Sequence, residues 1–201
     1  MKILIVPTVR EIYKNQFEYC VDIRLINFIK EIFKNSSIET YNMSIKNSYD
    51  LIVLSGGNNS IIQKKADKVR NKLNNFVYNF GVRKKIKILG ICHGTHFLAK
   101  KFGFVLKKKG NHIESHKVNF NINKINFNKI VNSYHNETIK FKKKENIDIF
   151  GIAEDKTIEA FHIKNKKILG IMWHPERFSK IRNFDKKLIK EFYATNSIVS
   201  R

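Results

Sequence analysis

The first candidate for chemistry is a cysteine in the segment GICHGTH, residues 90–96. Cys92 follows an apolar run and precedes an amphipathic segment, which predicts a strand-to-helix turn at this residue. Such a turn exposes a nucleophile, and the positive end of the following helix stabilises a thiolate. Gly90 and Gly94 are the small neighbours that a crowded nucleophile elbow needs, and the His93 backbone N–H would face an oxyanion. The alternative interpretation is an unreactive buried cysteine in a glycine-containing turn.

The second candidate is the tetrapeptide WHPE, residues 173–176. His174 follows the apolar segment GIMW, so it also lies at the end of a predicted strand. Glu176 is two residues further on, where its carboxylate can reach back to the imidazole and fix its tautomer. A catalytic cysteine needs a base, and the base needs an orienting group. The two segments together therefore predict a Cys92–His174–Glu176 triad for acyl transfer.

These residues need a scaffold, and the first half of the chain predicts a parallel one. Short apolar runs at 3–6, 51–54 and 85–91 alternate with amphipathic segments at about 21–33 and 66–80, the second ending near a glycine. Strands that alternate with helices predict a parallel sheet covered on both faces. Ligands bind beyond the carboxyl ends of such strands. We therefore expect the loops that follow these runs to meet at one site.

The pattern changes after about residue 104. The segment 116–123 alternates with a period of two, and further short strands are predicted at 147–153, 157–163 and 167–173, the last two forming a hairpin near Asn165. A final amphipathic helix follows, with the apolar positions Ile181, Phe184, Leu188 and Phe192. These strands are expected either to join the same sheet or to form a small antiparallel flap.

The motifs resemble those of the class I glutamine amidotransferases, and the similarity covers nearly the whole chain. GICHGTH resembles the family's nucleophile motif, and WHPE resembles the motif that holds its histidine and glutamate. The resemblance implies a flavodoxin-like α/β fold, with a mostly parallel central sheet flanked by helices and a small antiparallel extension. It also implies a single domain over residues 1–201 and a reaction that needs no cofactor.

Two further segments extend the resemblance. The loop SGGNN is similar to the family's glycine loop, which implies that the Gly57 N–H is the second oxyanion donor beside His93 and that Gly56 shapes the loop. The segment VNSYHNETI is similar to one whose backbone holds the glutamyl head group, which implies that Ser133 and Tyr134 bind substrate.

The chain departs from the family pattern at one position and points to one branch. The family has glutamine four residues after the nucleophile, and this chain has His96, which we expect to contact the glutamyl carboxylate or a neighbouring anionic group.

PTVR near the N-terminus and DIR at 22–24 resemble the free-standing γ-glutamyl hydrolase branch, with Arg10 facing the substrate. The resemblance implies a small γ-glutamyl substrate that carries a nucleotide, for capsule modification. The alternative is a glutaminase subunit that supplies ammonia to a separate synthetase, because 201 residues leave no room for a synthetase domain.

The charge balance is strongly basic, with a formal net charge of +22. Nucleic-acid binding is one interpretation of such a charge. The lysines are scattered, however, no nucleic-acid motif accompanies them, and the abundance of Lys, Asn and Ile is typical of an AT-rich genome. We therefore expect no nucleic-acid partner. A non-catalytic basic binding protein, with an unreactive Cys92, is the remaining alternative.

Several other classes are excluded by composition and spacing. No stretch approaches the roughly 20 apolar residues that span a bilayer, and the N-terminal apolar run is too short for a signal peptide, so we expect a cytoplasmic protein without a membrane partner. Two cysteines make no disulfide framework, and Cys20 is expected to be a small buried apolar residue. His112 and His116 are four apart, a spacing at which two histidines converge on a metal ion only in a helix, and the segment that begins at His116 is predicted to be a strand. No sequence feature indicates an oligomeric state.

Overall fold

The computed structural model describes residues 1–41, 45, 48–58, 64–108, 113–140 and 146–195. In chain order the strands are β1 (Lys2–Val6), β2 (Thr8–Tyr13), β3 (Gln16–Cys20), β4 (Ser37–Thr40), β5 (Leu51–Leu54), β6 (Lys87–Ile91), β7 (Val105–Lys108), β8 (His116–Ile122), β9 (Ile125–Val131), β10 (Glu137–Lys140), β11 (Ile147–Ala153), β12 (Ile158–Ile163) and β13 (Ile168–Ile171). The α-helices are α1 (Ile23–Ile32), α2 (Lys65–Arg83), α3 (His93–Lys101) and α4 (Asn183–Thr195). Short 3-10 turns cover Lys164–Lys166 and Pro175–Arg177.

Parallel strands form one half of the main sheet. They lie side by side in the order β4, β1, β5, β6 and β13. The inner strands are aliphatic runs such as LIVL and ILGI, and every residue of these two runs is buried. Strands covered on both faces are expected to be continuously apolar, which explains why they lack an alternating pattern.

Antiparallel strands continue the same sheet in the order β12, β11, β8 and β9, and β10 and β7 branch from β12. β8 alternates buried and exposed residues at its centre, which is the period-two pattern that its sequence predicts. β12 and β13 form the predicted hairpin, joined by the 3-10 turn at Lys164–Lys166. The predicted α/β fold is confirmed, and the later strands join the main sheet rather than forming a separate flap.

The helices cover both faces of the sheet. Residues of α1 and α4, such as Phe28 and Phe192, pack with Ile3 and Leu89 in one apolar core. Residues of α2 and α3, such as Val77, pack in a second core on the other face. None of the helices in the described part of the chain is both long and apolar enough to cross a membrane.

The structure corrects the predicted end of the second helix. α2 does not stop near Gly81 but continues to Arg83. A Cβ at Gly81 would lie 2.8 Å from Ile52 Cδ1 and 3.0 Å from Ile88 Cδ1. This glycine therefore serves close packing of the helix on the sheet and does not end the helix.

A hairpin near the N-terminus was not predicted. β2 and β3 form a separate two-stranded antiparallel sheet directly after Pro7. Its second strand ends at Cys20, which is partly exposed and lines a cavity. The expectation that Cys20 is a small buried apolar residue is therefore wrong, because Cys20 belongs to neither core and borders the cavity instead.

Candidate active site

Cys92 occupies a strained turn between β6 and α3. Its backbone has φ 49° and ψ −103°, and its amide donates to the Ile171 carbonyl over 2.9 Å. The left-handed φ is uncommon for a residue with a Cβ and marks a functional turn. A Cβ at Gly94 would lie 2.1 Å from Leu54 O, and one at Gly90 would lie 2.9 Å from Gly94 C. The glycines on both sides are therefore required sterically, as the sequence predicts.

His174 and Glu176 form a buried pair at the end of β13. The imidazole Nδ1 lies 2.6 Å from Glu176 Oε1, and the two residues are 2% and 6% exposed. Burial disfavours the imidazolium and is the largest single influence, but the Cys92 side chain and the Glu176 carboxylate together outweigh it and raise the pKa of His174 to about 9. The structure thus brings the three predicted residues together, with the imidazole between the thiol and the carboxylate.

Asn132 holds His174 through the backbone. The Asn132 Nδ2 donates to the His174 carbonyl over 2.8 Å, and the His174 amide donates to Asn132 Oδ1 over 2.8 Å. The Asn132 side-chain amide thus bonds both backbone polar groups of His174, as a neighbouring strand would. Both residues are buried. Sequence reasoning missed this residue, although it lies next to the predicted Ser133 in the segment VNSYHNETI.

The glycine loop after β5 closes over the imidazole. A Cβ at Gly56 would lie 2.3 Å from His174 Cε1, and one at Gly57 would lie 2.6 Å from Thr8 Cγ2. Gly57 also has φ +87°, where side chains are rarely accommodated. The loop can therefore approach His174 because Gly56 has no side chain, and it can approach Thr8 of β2 because Gly57 has none.

Two polar side chains, those of Arg70 and Asn58, connect this loop to β1 and β2 through hydrogen bonds. The buried Arg70 of α2 donates to Ser55 O over 3.0 Å and to Val6 O over 3.2 Å. Burial lowers the pKa of Arg70 to about 9. Asn58 donates to Val9 O over 2.7 Å and accepts from Val9 N over 2.9 Å. These contacts bind the loop to β1 and β2 on either side of the two glycines; the second asparagine of SGGNN, Asn59, lies outside the described residues.

His96 is buried beside the start of β10. Its imidazole is 1% exposed, and its Nε2 donates to Glu137 O over 3.1 Å, while His135 Nδ1 donates to the same oxygen over 2.8 Å. Because a carbonyl oxygen only accepts, each of these nitrogens carries a proton. Burial, together with His135 and His93, lowers the pKa of His96 well below its usual value. The side chain thus contacts the start of β10 and does not line the cavity beside His174; its expected contact with the glutamyl carboxylate or a neighbouring anionic group stays a prediction.

The two residues expected to bind the glutamyl head group differ in exposure. Ser133 is buried, whereas Tyr134 is 50% exposed. The Tyr134 ring meets the His174 imidazole edge-on, with ring centroids 5.4 Å apart. The Arg177 guanidinium lies 4.8 Å from the centroid of the same ring. The Tyr134 ring therefore lies beside both the His174 imidazole and the Arg177 guanidinium.

A cavity of about 510 Å³ opens beside His174. Its size is in the range of small-molecule sites. Residues of the β2–β3 hairpin, the glycine loop, the start of α1 and the turn after β13 form its walls, and they include Arg10, Cys20, Gly57 and Arg177. The sequence-predicted Arg10 is thus at the cavity. His93 is the first residue of α3, so its backbone N–H lies at the N-terminal end of this helix.

No group of three or more residues suited to hold a metal ion occurs among the described residues. His116 lies 3.5 Å from the buried Glu159, and this carboxylate raises the pKa of His116 against the effect of burial. The other member of the predicted histidine pair, His112, lies outside the described residues.

Comparison with known proteins places the chain in a family. The model of the glutamine amidotransferase class I family matches residues 12–195. The chain belongs to this family.

Among its relatives, the γ-glutamyl-CDP-amidate hydrolase of Campylobacter jejuni is 34% identical over 83% of this chain and 84% of that protein. A GMP synthase of Finegoldia magna is 29% identical over 70% of this chain, which spans only 27% of that protein. The crystal structure of a Thermoplasma acidophilum protein, described as part of a GMP synthase, superposes with a TM-score of 0.71 at 20% identity, covering 96% of this chain and 92% of the other. That likeness shows the fold.

Proposed function

We propose that this protein hydrolyses γ-glutamyl-CDP-amidate to glutamate and cytidine diphosphoramidate, through a glutamyl thioester on Cys92. The observation that carries this proposal is the similarity to the Campylobacter jejuni hydrolase over 84% of that protein's length. The buried imidazole–carboxylate pair beside the thiol supports the reaction type. Its use in capsular polysaccharide modification, its cytoplasmic location and its action as one domain over residues 1–201 stay predictions.

In the proposed acylation step, the Cys92 thiolate attacks the γ-carbonyl carbon of the glutamyl group. The carbonyl oxygen takes up the electron pair, and the backbone N–H groups of Gly57 and His93 stabilise it. When the tetrahedral intermediate collapses, the bond to nitrogen breaks and the His174 imidazolium donates a proton to that nitrogen. The products are the free amine and a glutamyl thioester.

In the proposed hydrolysis step, His174 is neutral and takes a proton from a water molecule. The water oxygen attacks the thioester carbon, and the oxyanion forms again opposite the same two N–H groups. The carbon–sulfur bond then breaks, which releases glutamate and returns Cys92 to the thiolate and His174 to the imidazolium. Glu176 holds the imidazole orientation through both steps.

The raised pKa of His174 predicts an alkaline limit to activity. Below pH 9 the imidazole holds the proton that acylation requires, and as pH rises through about 9 this proton is lost, so kcat/KM should fall. Glu176→Gln removes a charge that favours the imidazolium, so its alkaline limb should move to lower pH. The measurement is kcat/KM against pH for both proteins. Identical alkaline limbs would contradict the coupling between His174 and Glu176.

The contacts of Asn132 predict a positioning role. Asn132→Ala removes both bonds to the His174 backbone, and kcat should fall roughly tenfold to a hundredfold, because small displacements of a catalytic group are costly. KM should change less than kcat. The matched control is Asn75→Ala, which removes one amide bond to Asn71 O on α2. An equal loss of stability in the two variants with no loss of kcat in Asn132→Ala would contradict this role.

The second candidate function is a glutaminase that supplies ammonia to a synthetase. It is favoured by the similarity to the Finegoldia magna GMP synthase. Glutamate release from γ-glutamyl-CDP-amidate and from glutamine distinguishes the two functions. Strong turnover of the nucleotide amidate with weak turnover of glutamine is expected. Preferential turnover of glutamine would overturn the proposed substrate and favour the ammonia donor.

A further inference from the structure

The cavity beside His174 lies on the leaving-group side of the candidate site. In the proposed reaction, His174 donates its proton to the departing nitrogen, so the departing group must lie next to this imidazole. His174 and Glu176 both line the cavity. Ser133 and Tyr134, which are expected to hold the glutamyl group, do not line it. The cavity is therefore positioned for the amine that leaves and not for the glutamate that stays.

The charged groups of this cavity carry a cationic excess. Three arginines and His174 line it, against two carboxylates. One carboxylate, Glu176, already binds the imidazole. The other, Asp22, accepts from Arg24 Nε over 3.1 Å and from Arg24 Nη2 over 2.8 Å. The hydrogen bond from Arg24 outweighs burial and lowers the pKa of Asp22, which keeps this carboxylate ionised and paired.

Two of the three guanidinium groups at the cavity, those of Arg10 and Arg177, have N–H donors that can bind a ligand. Within the described part of the chain, the Arg10 side chain makes no hydrogen bond or ion pair, although Glu18 is opposite it on β3. The Arg177 Nε lies 3.8 Å from both Asp22 Oδ2 and Glu176 Oε1, which is beyond hydrogen-bond distance. Its guanidinium carbon lies 4.8 Å from the centroid of the Tyr134 ring, and the residue lines the cavity. Arg10 and Arg177 therefore present planar donors to whatever fills the cavity.

We propose that Arg10 and Arg177 bind the phosphate groups of the leaving amine and so select a phosphorylated γ-glutamyl substrate. This inference rests on the proposed function and names the groups that recognise its leaving group. In a γ-glutamyl phosphoramidate the departing nitrogen is bonded directly to phosphorus. A phosphate therefore lies one bond from the atom that His174 protonates, within the cavity that the two arginines line. Guanidinium groups bind phosphate oxygens through parallel N–H donors.

The first test measures binding without turnover. Cys92→Ala protein is titrated calorimetrically with CDP, with pyrophosphate and with cytidine. CDP and pyrophosphate should bind and cytidine should not. Adding Arg10→Gln or Arg177→Gln should raise the Kd for both anions roughly tenfold or more, since each removes a charge-assisted contact. The matched control is Arg83→Gln, which removes one exposed arginine at the end of α2 and should leave the Kd unchanged.

Equal weakening by Arg10→Gln and Arg83→Gln would show an effect of net charge and overturn the assignment. Tight binding of cytidine with no dependence on the two arginines would also overturn it.

The second test separates failure of this inference from failure of the proposed function. The ratio of kcat/KM for γ-glutamyl-CDP-amidate to kcat/KM for glutamine is measured in each variant. Arg10→Gln and Arg177→Gln should lower this ratio roughly tenfold or more, and an unchanged ratio would overturn the inference. If wild type fails to hydrolyse the nucleotide amidate, the proposed substrate is wrong. Arginine-dependent binding of CDP and pyrophosphate would then still support a phosphate site beside His174.

Discussion

Cys92→Ala is expected to lower kcat for γ-glutamyl amide hydrolysis by about 10⁴-fold or more, because loss of a nucleophile removes the covalent route and leaves only the contribution of the oxyanion donors. The measurement is glutamate release under single-turnover conditions. Cys20→Ala removes the only other thiol and is expected to retain turnover. Comparable activity of Cys92→Ala and wild type would exclude the thioester mechanism.

The same position should show an unusual order of stabilities. A residue with a Cβ at φ 49° and ψ −103° carries strain of about 1–3 kcal/mol, and glycine does not. Glycine costs about 0.4–1 kcal/mol relative to alanine through the unfolded chain. Cys92→Gly should therefore be more stable to urea than Cys92→Ala by about 1 kcal/mol, although both are inactive. The usual order, with alanine more stable, would contradict the strained turn.

Gly56→Ala should lower kcat by roughly 10²-fold although the new methyl group is small. Its Cβ would lie 2.3 Å from His174 Cε1 and 3.0 Å from Nε2, so the imidazole must move. His174 cannot tilt freely, because Glu176 holds its Nδ1 and Asn132 holds its backbone. Displacement of about 1 Å at a catalytic group costs on the order of 10² in rate. The measurement is kcat, together with the pH profile of kcat/KM.

The control for this substitution is Gly81→Ala on α2. Its Cβ would also approach within 2.8 Å of a neighbour, but that neighbour is the end of the Ile52 side chain, which can shift. Gly81→Ala should therefore keep wild-type kcat. If Gly56→Ala and Gly81→Ala had equal kcat values, the position of the imidazole against the glycine loop would be wrong.

The most reliable sequence signals were those whose cause is local in the chain. A residue at a strand-to-helix corner needs small neighbours on both sides, and the pattern around Cys92 records this requirement directly. Likewise, Glu176 is two positions after His174, and this spacing alone brings a carboxylate within reach of the imidazole. The aliphatic runs of β5 and β6 predict buried strands equally well, because burial on both faces of the sheet favours apolar residues.

Contacts between distant segments had no such signature. Asn132 and Arg70 hold the imidazole and the glycine loop across separations of 42 and 15 residues, and nothing in their local sequence distinguishes them from surface residues. His96 has the spacing expected of a substrate contact, but only the tertiary structure shows that β10 places the Glu137 carbonyl within hydrogen-bond distance of its imidazole.

The local pattern of the sequence thus determined the helices and strands, the turn at Cys92 and the pairing of His174 with Glu176. Each of these depends on neighbours within a few residues. Only the tertiary structure decided what surrounds them. The β2–β3 hairpin places Arg10 and Cys20 at the cavity, and the turn after β13 places Arg177 at the same cavity. Such a surface forms only when segments far apart in sequence pack together, since the hydrophobic pattern specifies which faces are buried but not which polar groups then meet.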